Sequence, residues 1–365
     1  LVEKESGFKH LPFKGKYSMK TSQSRHTTCP GSLPVERTTA KALFTLLLAA
    51  ALPLLCSGCL VIPLTGLMGE TDYSEQVIEK GDGLFAGKLA VIELSGVLSS
   101  EAGGFLFTST DNSVSSLKAQ LDLAAEDSSV LGVLLKISSP GGEVTACDNL
   151  YHEIKKFRAE TGKPIVAYIE NIGASGGLYA AMGADAVMSH PTAIVGSIGV
   201  IMQSMDLSRA IAAFGVEMDP IKSGKMKDLN SPWRSITKDE RQVLQKLVDD
   251  MFQRFVDVVD SSRKKLDREK VLALADGRVF SGVEAARAGL VDGTGYIEDA
   301  VSELTSRLDG AQRKPALIRY TRTAGNGANI YTQGRAKTAR ENSITLRFDG
   351  FNNSAGLYYL WKPGL

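Results

Sequence analysis

Two glycine-rich stretches and one lysine cluster hold the residue types that could do chemistry in this chain. Residues 173–177 read Gly-Ala-Ser-Gly-Gly. They fit G-x-S-x-G, a pattern in which a serine is held on a sharp turn between a strand and a helix. Ser175 is therefore a candidate nucleophile, and a serine hydroxyl needs a base to become one. The hydrolase version of the pattern takes an acid and then a histidine from later loops. Here His10 and His26 lie near the start, His152 precedes the serine, and His190 follows it closely with only Asp185 between. No such triad can be assembled.

A lysine is the remaining familiar base. The run Ile-Lys-Ser-Gly-Lys-Met-Lys-Asp at 221–228 offers Lys222, Lys225 and Lys227. A lysine acts as a base only when desolvation keeps it neutral; otherwise the run is an ordinary solvated loop. It is not a phosphate-binding loop, because Asp219 stands where that motif needs glycine and Met226 where it needs Ser or Thr. Ser197, in Gly-Ser-Ile-Gly at 196–199, supplies a hydroxyl that could orient an amine, or simply edges a strand. Ser-Pro-Gly-Gly at 139–142 could converge backbone N–H groups on an oxyanion. Taken alone, it reads more readily as a sharp turn between strand and helix. Nothing in the sequence calls for a cofactor or a metal.

Those turns must hang on regular elements. Residues 89–94, 130–137 and 164–169 are β-branched apolar runs without alternation, the pattern of strands buried on both faces. Helical spacing marks 113–126 and 146–160, where Leu150, Ile154 and Phe157 share one face. The longest helix is expected to start after Thr237, since Thr237 and Glu240 form a capping box. Alternating strand and helix imply a layered α/β domain with a largely parallel sheet.

The charge total, 42 basic against 41 acidic residues, gives +1 and argues against a nucleic-acid footprint. It conceals an asymmetry. Residues 1–41 carry eight Lys or Arg and three Asp or Glu, and residues 42–69 carry no charge. A basic flank, an apolar run and small residues make a bacterial secretory signal, with a lipoprotein-like box at Cys59. An uncleaved membrane helix fits too, since about 20 apolar residues span a bilayer. Both readings leave the chain after Glu70 outside the cytoplasm. Of the four cysteines only Cys147 falls in the remaining chain, so no disulfide framework is expected.

From residue 88 to 305 the chain resembles the signal peptide peptidase A family of bacterial membrane-associated serine proteases. The matching pieces are SPGG (139–142), ASGG (174–177), GSIGVI (196–201), IKSGKMKD (221–228) and ADGRVFSG (275–282), in the family's order. Glu143 departs from it, standing where many relatives have a third glycine. The resemblance implies an α/β fold of the ClpP/crotonase-like type, a superhelix of ββα units forming one catalytic domain. It implies a Ser–Lys dyad with Ser175 as nucleophile, Lys227 as general base, Gly142 in the oxyanion hole and Ser197 orienting the lysine.

It also implies peptide substrates such as released signal peptides, and a ring-shaped homo-oligomer whose adjoining protomers complete each dyad. Residues beside the serine would be small or apolar. The expected organisation is a disordered leader at 1–41, a signal or anchor at 42–69, the protease domain at 80–308 and a C-terminal extension at 309–365. The aromatic tail at 358–361 reads either as a docking segment for a neighbouring subunit or as a terminal strand. A crotonase-type acyl-CoA enzyme and an inactive anchored scaffold are the competing classes; export argues against the first, and the presence of Ser175, Lys227 and Gly142 against the second.

Overall fold

The computed structural model describes residues 73–83, 86–100, 112–308, 314–322 and 357–361, together with the backbone of two short strands at 103–105 and 108–110. The basic leader, the uncharged run at 42–69 and Cys59 lie outside the described residues. Among the described residues no helix is long and apolar enough to cross a membrane.

The strands are β1 (Tyr73–Glu79), β2 (Lys88–Leu98), β3 (Gly103–Phe105), β4 (Thr108–Thr110), β5 (Val130–Glu143), β6 (Ile165–Ala174), β7 (Ala186–Ser189), β8 (Ile194–Gly196), β9 (Ile201–Met202), β10 (Val279–Ser281), β11 (Gly293–Thr294), β12 (Ala316–Arg322) and β13 (Leu357–Leu360). The helices are α1 (Ser113–Glu126), α2 (Val144–Thr161), α3 (Gly176–Ala181), α4 (Ser208–Ala213), α5 (Lys238–Ser262), α6 (Arg268–Leu274), α7 (Gly282–Arg287) and α8 (Ile297–Ser306).

The main sheet runs β1-β12-β2-β5-β6-β7-β11. From β12 to β11 every neighbouring pair is parallel, and β1 closes the edge antiparallel to β12. Parallel strands joined through helices bury both faces, which is why the strand sequences are continuously apolar. Alternate residues divide between two cores. Ala90, Ile92, Val133 and Leu135 face α1, α2 and α5, whereas Leu89, Val91, Leu134 and Val166 face Ala300 and Leu304 of α8. The expected stripe on α2 is real: Leu150, Ile154 and Phe157 are buried, each contributing roughly 1.5–3 kcal/mol by transfer out of water.

Helix starts follow local chemistry. Asn112 caps α1 by accepting from the backbone of Val114 and Ser115. Thr237 and Glu240 form the reciprocal capping box of α5. Two strands outrun their sequence reading. β5 continues through Ser-Pro-Gly-Gly to Glu143, and β6 through Gly173 to Ala174, where turns were expected. At Gly142 the reason is close packing, because a Cβ there would fall 1.9 Å from the Leu98 carbonyl oxygen of β2. Only a bare backbone can keep pairing at that separation.

Two strands from the stretch beyond residue 308 belong to the same sheet. β12 pairs with β1 and β2. β13 lies antiparallel to β5 on one side and to β9 on the other. The aromatic tail is thus a strand on its own domain.

Candidate active site

Ser175 stands at the junction of β6 and α3 with φ +50° and ψ −115°. Left-handed φ is costly for a side chain with a Cβ, roughly 1–3 kcal/mol where the surroundings impose it. The surroundings do so from both sides. The Ser175 N–H donates to Gly196 O at 2.7 Å, holding it to β8, while its carbonyl accepts from Tyr179 N at 2.9 Å to start α3. The residue is only 1% exposed. The glycines that follow permit this packing. A Cβ on Gly176 would fall 2.3 Å from Cys147 Sγ, and one on Gly177 would fall 2.6 Å from Ser139 O. Gly176 and Gly177 are therefore the surface on which α3 lies against β5.

That approach brings the two glycine motifs together. β5 and β6 pair through Ser139 and Gly173. Ser139 Oγ donates to Gly96 O at 2.7 Å and accepts from Gly141 N at 3.1 Å, bracing the bend at Gly141, where φ is +106°. A Cβ on Gly141 would fall 2.7 Å from Gly176 N. The N–H of Gly176, the residue after Ser175, thus lies against Gly141 in the last residues of β5. Glu143, the departure noted in the sequence, is engaged elsewhere: its carboxylate accepts from Ser99 Oγ at 2.9 Å and Ser100 N at 3.0 Å.

Ser197 follows Gly196, the residue that holds the Ser175 N–H. It too has positive φ, +51°, and its N–H donates to Arg278 O at 2.7 Å. Gly196 pairs with Ala174 on one side and Val279 on the other. The structure therefore gathers Ser175, Gly142 and Ser197.

It does not add Lys227. That side chain is exposed on the loop between α4 and α5, and no hydrogen bond or ion pair links it to Ser175 among the described residues. Its neighbours behave differently. Lys222 pairs with Asp228 at 2.7 Å and Lys225 with Asp239 at 3.2 Å. Of the three lysines only Lys227 forms no ion pair among the described residues. Asp228 is itself gripped by Arg234, which also binds Glu240 at the head of α5. Hydrogen bonds from Arg234 and Lys222 hold the Asp228 carboxyl far below the usual carboxylate range. Those from Arg234 and the Thr237 backbone hold Glu240 down to about 2. The lysine loop is therefore tied to α5, and Lys227 stands exposed on it without an ion-pair partner among the described residues.

A pocket under the nucleophile turn went unread in the sequence. Tyr359 of β13 is fully buried in it. Its ring stacks on Tyr179 at 5.0 Å and tilts against Phe255 at 4.8 Å. Tyr179 stands one helical turn after Ser175, the spacing that could have revealed it. Its hydroxyl donates to Asp148, which Arg254 also binds at 3.0 Å. Burial, and after it the bond to Asp148, raises the Tyr179 phenol well above its ordinary value, and burial does the same for Tyr359 and the Cys147 thiol. All three are neutral across physiological pH.

β13 places its own backbone over the site. Tyr359 is the register partner of Gly142 and Leu360 of Gly141. The Tyr359 carbonyl oxygen lies 1.8 Å from the point a Gly141 Cβ would take and 3.1 Å from that of Gly176. Trp361 N donates to Pro140 O at 2.8 Å. A carbonyl is thus presented beside the residue after Ser175, on an extended chain paired along both flanks.

Residues 157–310 match the family described as Peptidase family S49. A putative protease of Methanocaldococcus jannaschii is 39% identical over 200 residues, covering 55% of this chain and 63% of that protein. A putative signal peptide peptidase SppA of Enterococcus faecium is 34% identical over 236 residues, covering 65% of this chain and 67% of that protein. Among solved structures, the membrane-bound stomatin-specific protease 1510-N is similar at 14% identity and a TM-score of 0.38, over 60% of this chain and 84% of that one.

Proposed function

The chain belongs to peptidase family S49, with SppA among its relatives, and on that premise we propose that it is a serine endopeptidase acting through Ser175 and Lys227. The observation that carries the reading is the carbonyl of an extended strand lying between the Gly141–Gly142 turn and Gly176, beside a strained, buried serine. A substrate strand in the same place would present its scissile carbonyl to Ser175 Oγ.

In this mechanism Lys227, neutral, takes the Ser175 proton as Oγ attacks the carbonyl carbon. The N–H groups of Gly142 and Gly176 stabilise the oxyanion, a preorganised contribution of about 2.7–4 kcal/mol per donor in comparable sites. The lysine returns the proton to the leaving amine, and water, losing a proton to the same base, releases the acyl chain. Ser197, one residue from the carbonyl that holds Ser175, accepts from the lysine and aims it. Lys227 comes from an adjoining protomer of a ring-shaped homo-oligomer. That no ion pair holds Lys227 among the described residues supports this, as does the apolar surface left uncovered between α4 and the lysine run: Phe214 is 85% exposed, and Met218 and Ile221 are exposed as well.

The substrates are peptides that reach the cleft as extended strands, released signal peptides and other membrane-derived segments among them. The uncharged run at 42–69 holds the enzyme at a bacterial membrane, through a helix or a lipid on Cys59, with the catalytic domain on the extracytoplasmic side.

A fluorophosphonate probe tests the chemistry directly. Labelling of the full chain that disappears in Ser175→Ala, together with peptide hydrolysis lost in Ser175→Ala and Lys227→Ala, is the expected result. Undiminished labelling in Ser175→Ala removes the serine from the mechanism.

A further inference from the structure

A cavity of about 450 Å³ opens between the ends of α2 and α5 and the chain leading from α7 to β11, and the peptidase mechanism makes no use of it. Its lining carries five cations, Lys155, Arg158, Arg263, Lys264 and Lys265, against two carboxylates, Asp185 and Asp292. Both carboxylates are already engaged. Asp185 holds Arg158 and accepts from Ile165 N at 2.8 Å. Asp292 holds Arg263 at 2.8 Å and accepts from Val187 N at 2.8 Å. Among the described residues Lys155, Lys264 and Lys265 form no ion pair, and Lys155 only overlies the Tyr151 ring. The lining therefore keeps a surplus of three positive charges, five less two.

The arginines mark the cavity more sharply than the lysines do. Arg263 is only 5% exposed, yet its Nε–H has no hydrogen-bond partner. The Nε–H of Arg158 is buried and unpartnered in the same way. A buried guanidinium donor is costly to leave unpaired, and here two such arginines line one space. Neither is free to turn away. Arg263 N donates to Val259 O at 2.8 Å at the end of α5, and Arg158 Nη1 donates to Gly183 O at 2.6 Å.

We infer that this cavity binds a phosphate group carried on a small organic body. A phosphate offers several strong acceptors and as many as two negative charges, which suits guanidinium and ammonium donors together. A carboxylate brings one charge and leaves most of the surplus in place. The volume falls in the range of about 300–1,000 Å³ usual for small-molecule sites, and Met182, Ala184 and Val291 give the organic part an apolar wall. This is not the substrate cleft. Asp185 is bonded to the first residue of β6 and Ser175 follows the last, so about 30 Å of strand lies between them. The headgroup of a membrane phospholipid and a soluble phosphate ester present the same chemistry to these residues.

Calorimetric titration of the full chain in neutral detergent, with chloride keeping the ionic strength constant, tests the inference. Glycerol phosphate is the probe. It should bind saturably at one site per chain, and at least about ten-fold more weakly in Lys264→Gln/Lys265→Gln and in Arg263→Lys, which keeps the charge but removes the Nε–H. Lys264 and Lys265 are exposed, so the double variant should unfold at the parent's midpoint and decides the matter even if Arg263→Lys folds poorly. No saturable binding, or equal affinity in parent and double variant, overturns the inference and leaves the peptidase reading untouched. Titration of the chain in phosphatidylcholine vesicles brought to one surface charge with phosphatidylglycerol or with oleate then separates the sources. Binding of glycerol phosphate lost only with phosphatidylglycerol assigns the site to a lipid headgroup; equal binding in both assigns it to a soluble ester.

Discussion

Replacing Ser175 by glycine and by alanine separates strain at the nucleophile from its chemistry. Both variants lose the hydroxyl, so both should be inactive, and the difference between them is a single Cβ. At an ordinary buried position, alanine to glycine costs about 0.8 kcal/mol in lost burial and about 0.5–1 kcal/mol in backbone entropy. At Ser175, with φ +50° and ψ −115°, removing the Cβ also relieves strain of about 1–3 kcal/mol. The terms nearly cancel, and Ser175→Gly should lie within about 1 kcal/mol of Ser175→Ala. Ala180, fully buried on the same short helix, is the control. Ala180→Gly should cost about 2 kcal/mol, which for a domain of this size lowers the melting temperature by about 4–8 °C. The assay is thermal unfolding of the four proteins at one concentration, because association shifts the midpoint. If Ser175→Gly melts as far below Ser175→Ala as Ala180→Gly melts below its parent, the turn stores no strain and the argument for a forced nucleophile geometry fails.

Other outcomes test the remaining parts. Gly142→Ala sets a Cβ 1.9 Å from Leu98 O and 2.5 Å from Leu98 N, backbone atoms that cannot swing aside; kcat/KM should fall by at least about 100-fold as the N–H is displaced, and wild-type turnover would show that this turn is not the oxyanion site. Mixing inactive Ser175→Ala and Lys227→Ala chains should restore about a quarter of wild-type hydrolysis if each dyad spans two protomers, whereas no recovery places both residues on one chain. Glu240 is held from its ordinary 4.5 down to about 2, first by Arg234, so its contribution is complete above the ordinary glutamate range and lost as pH falls from about 4.5 toward 2. Emission from Trp233 in a Trp361→Phe chain should change in that window, and the change should move up in Arg234→Met; a spectrum flat to pH 2 in both would show that Arg234 does not tie the lysine loop to α5.

What could be read from the sequence, and what could not, divides by the range of the interactions. The bounds of α1 and the capping box of α5 depend on residues within a few positions, and both follow from the chain alone. The serine, the two glycine turns and their order were visible for the same reason. The reach of β5 to Glu143 was not, because it is set by a distant strand: Leu98 allows only glycine at 142, and β13 supplies a partner from more than two hundred residues away. Tyr179 and Phe255 were readable as apolar residues on helical faces, yet their meeting around one ring depends on three elements that no local pattern connects. Lys227 marks the limit from the other direction. Its place in IKSGKMKD is evident in the sequence, but a base has no function until something desolvates it, and on this chain its side chain is exposed. The catalytic unit in the proposed mechanism is therefore the junction of two protomers, of which one chain contributes the buried serine and the other the base.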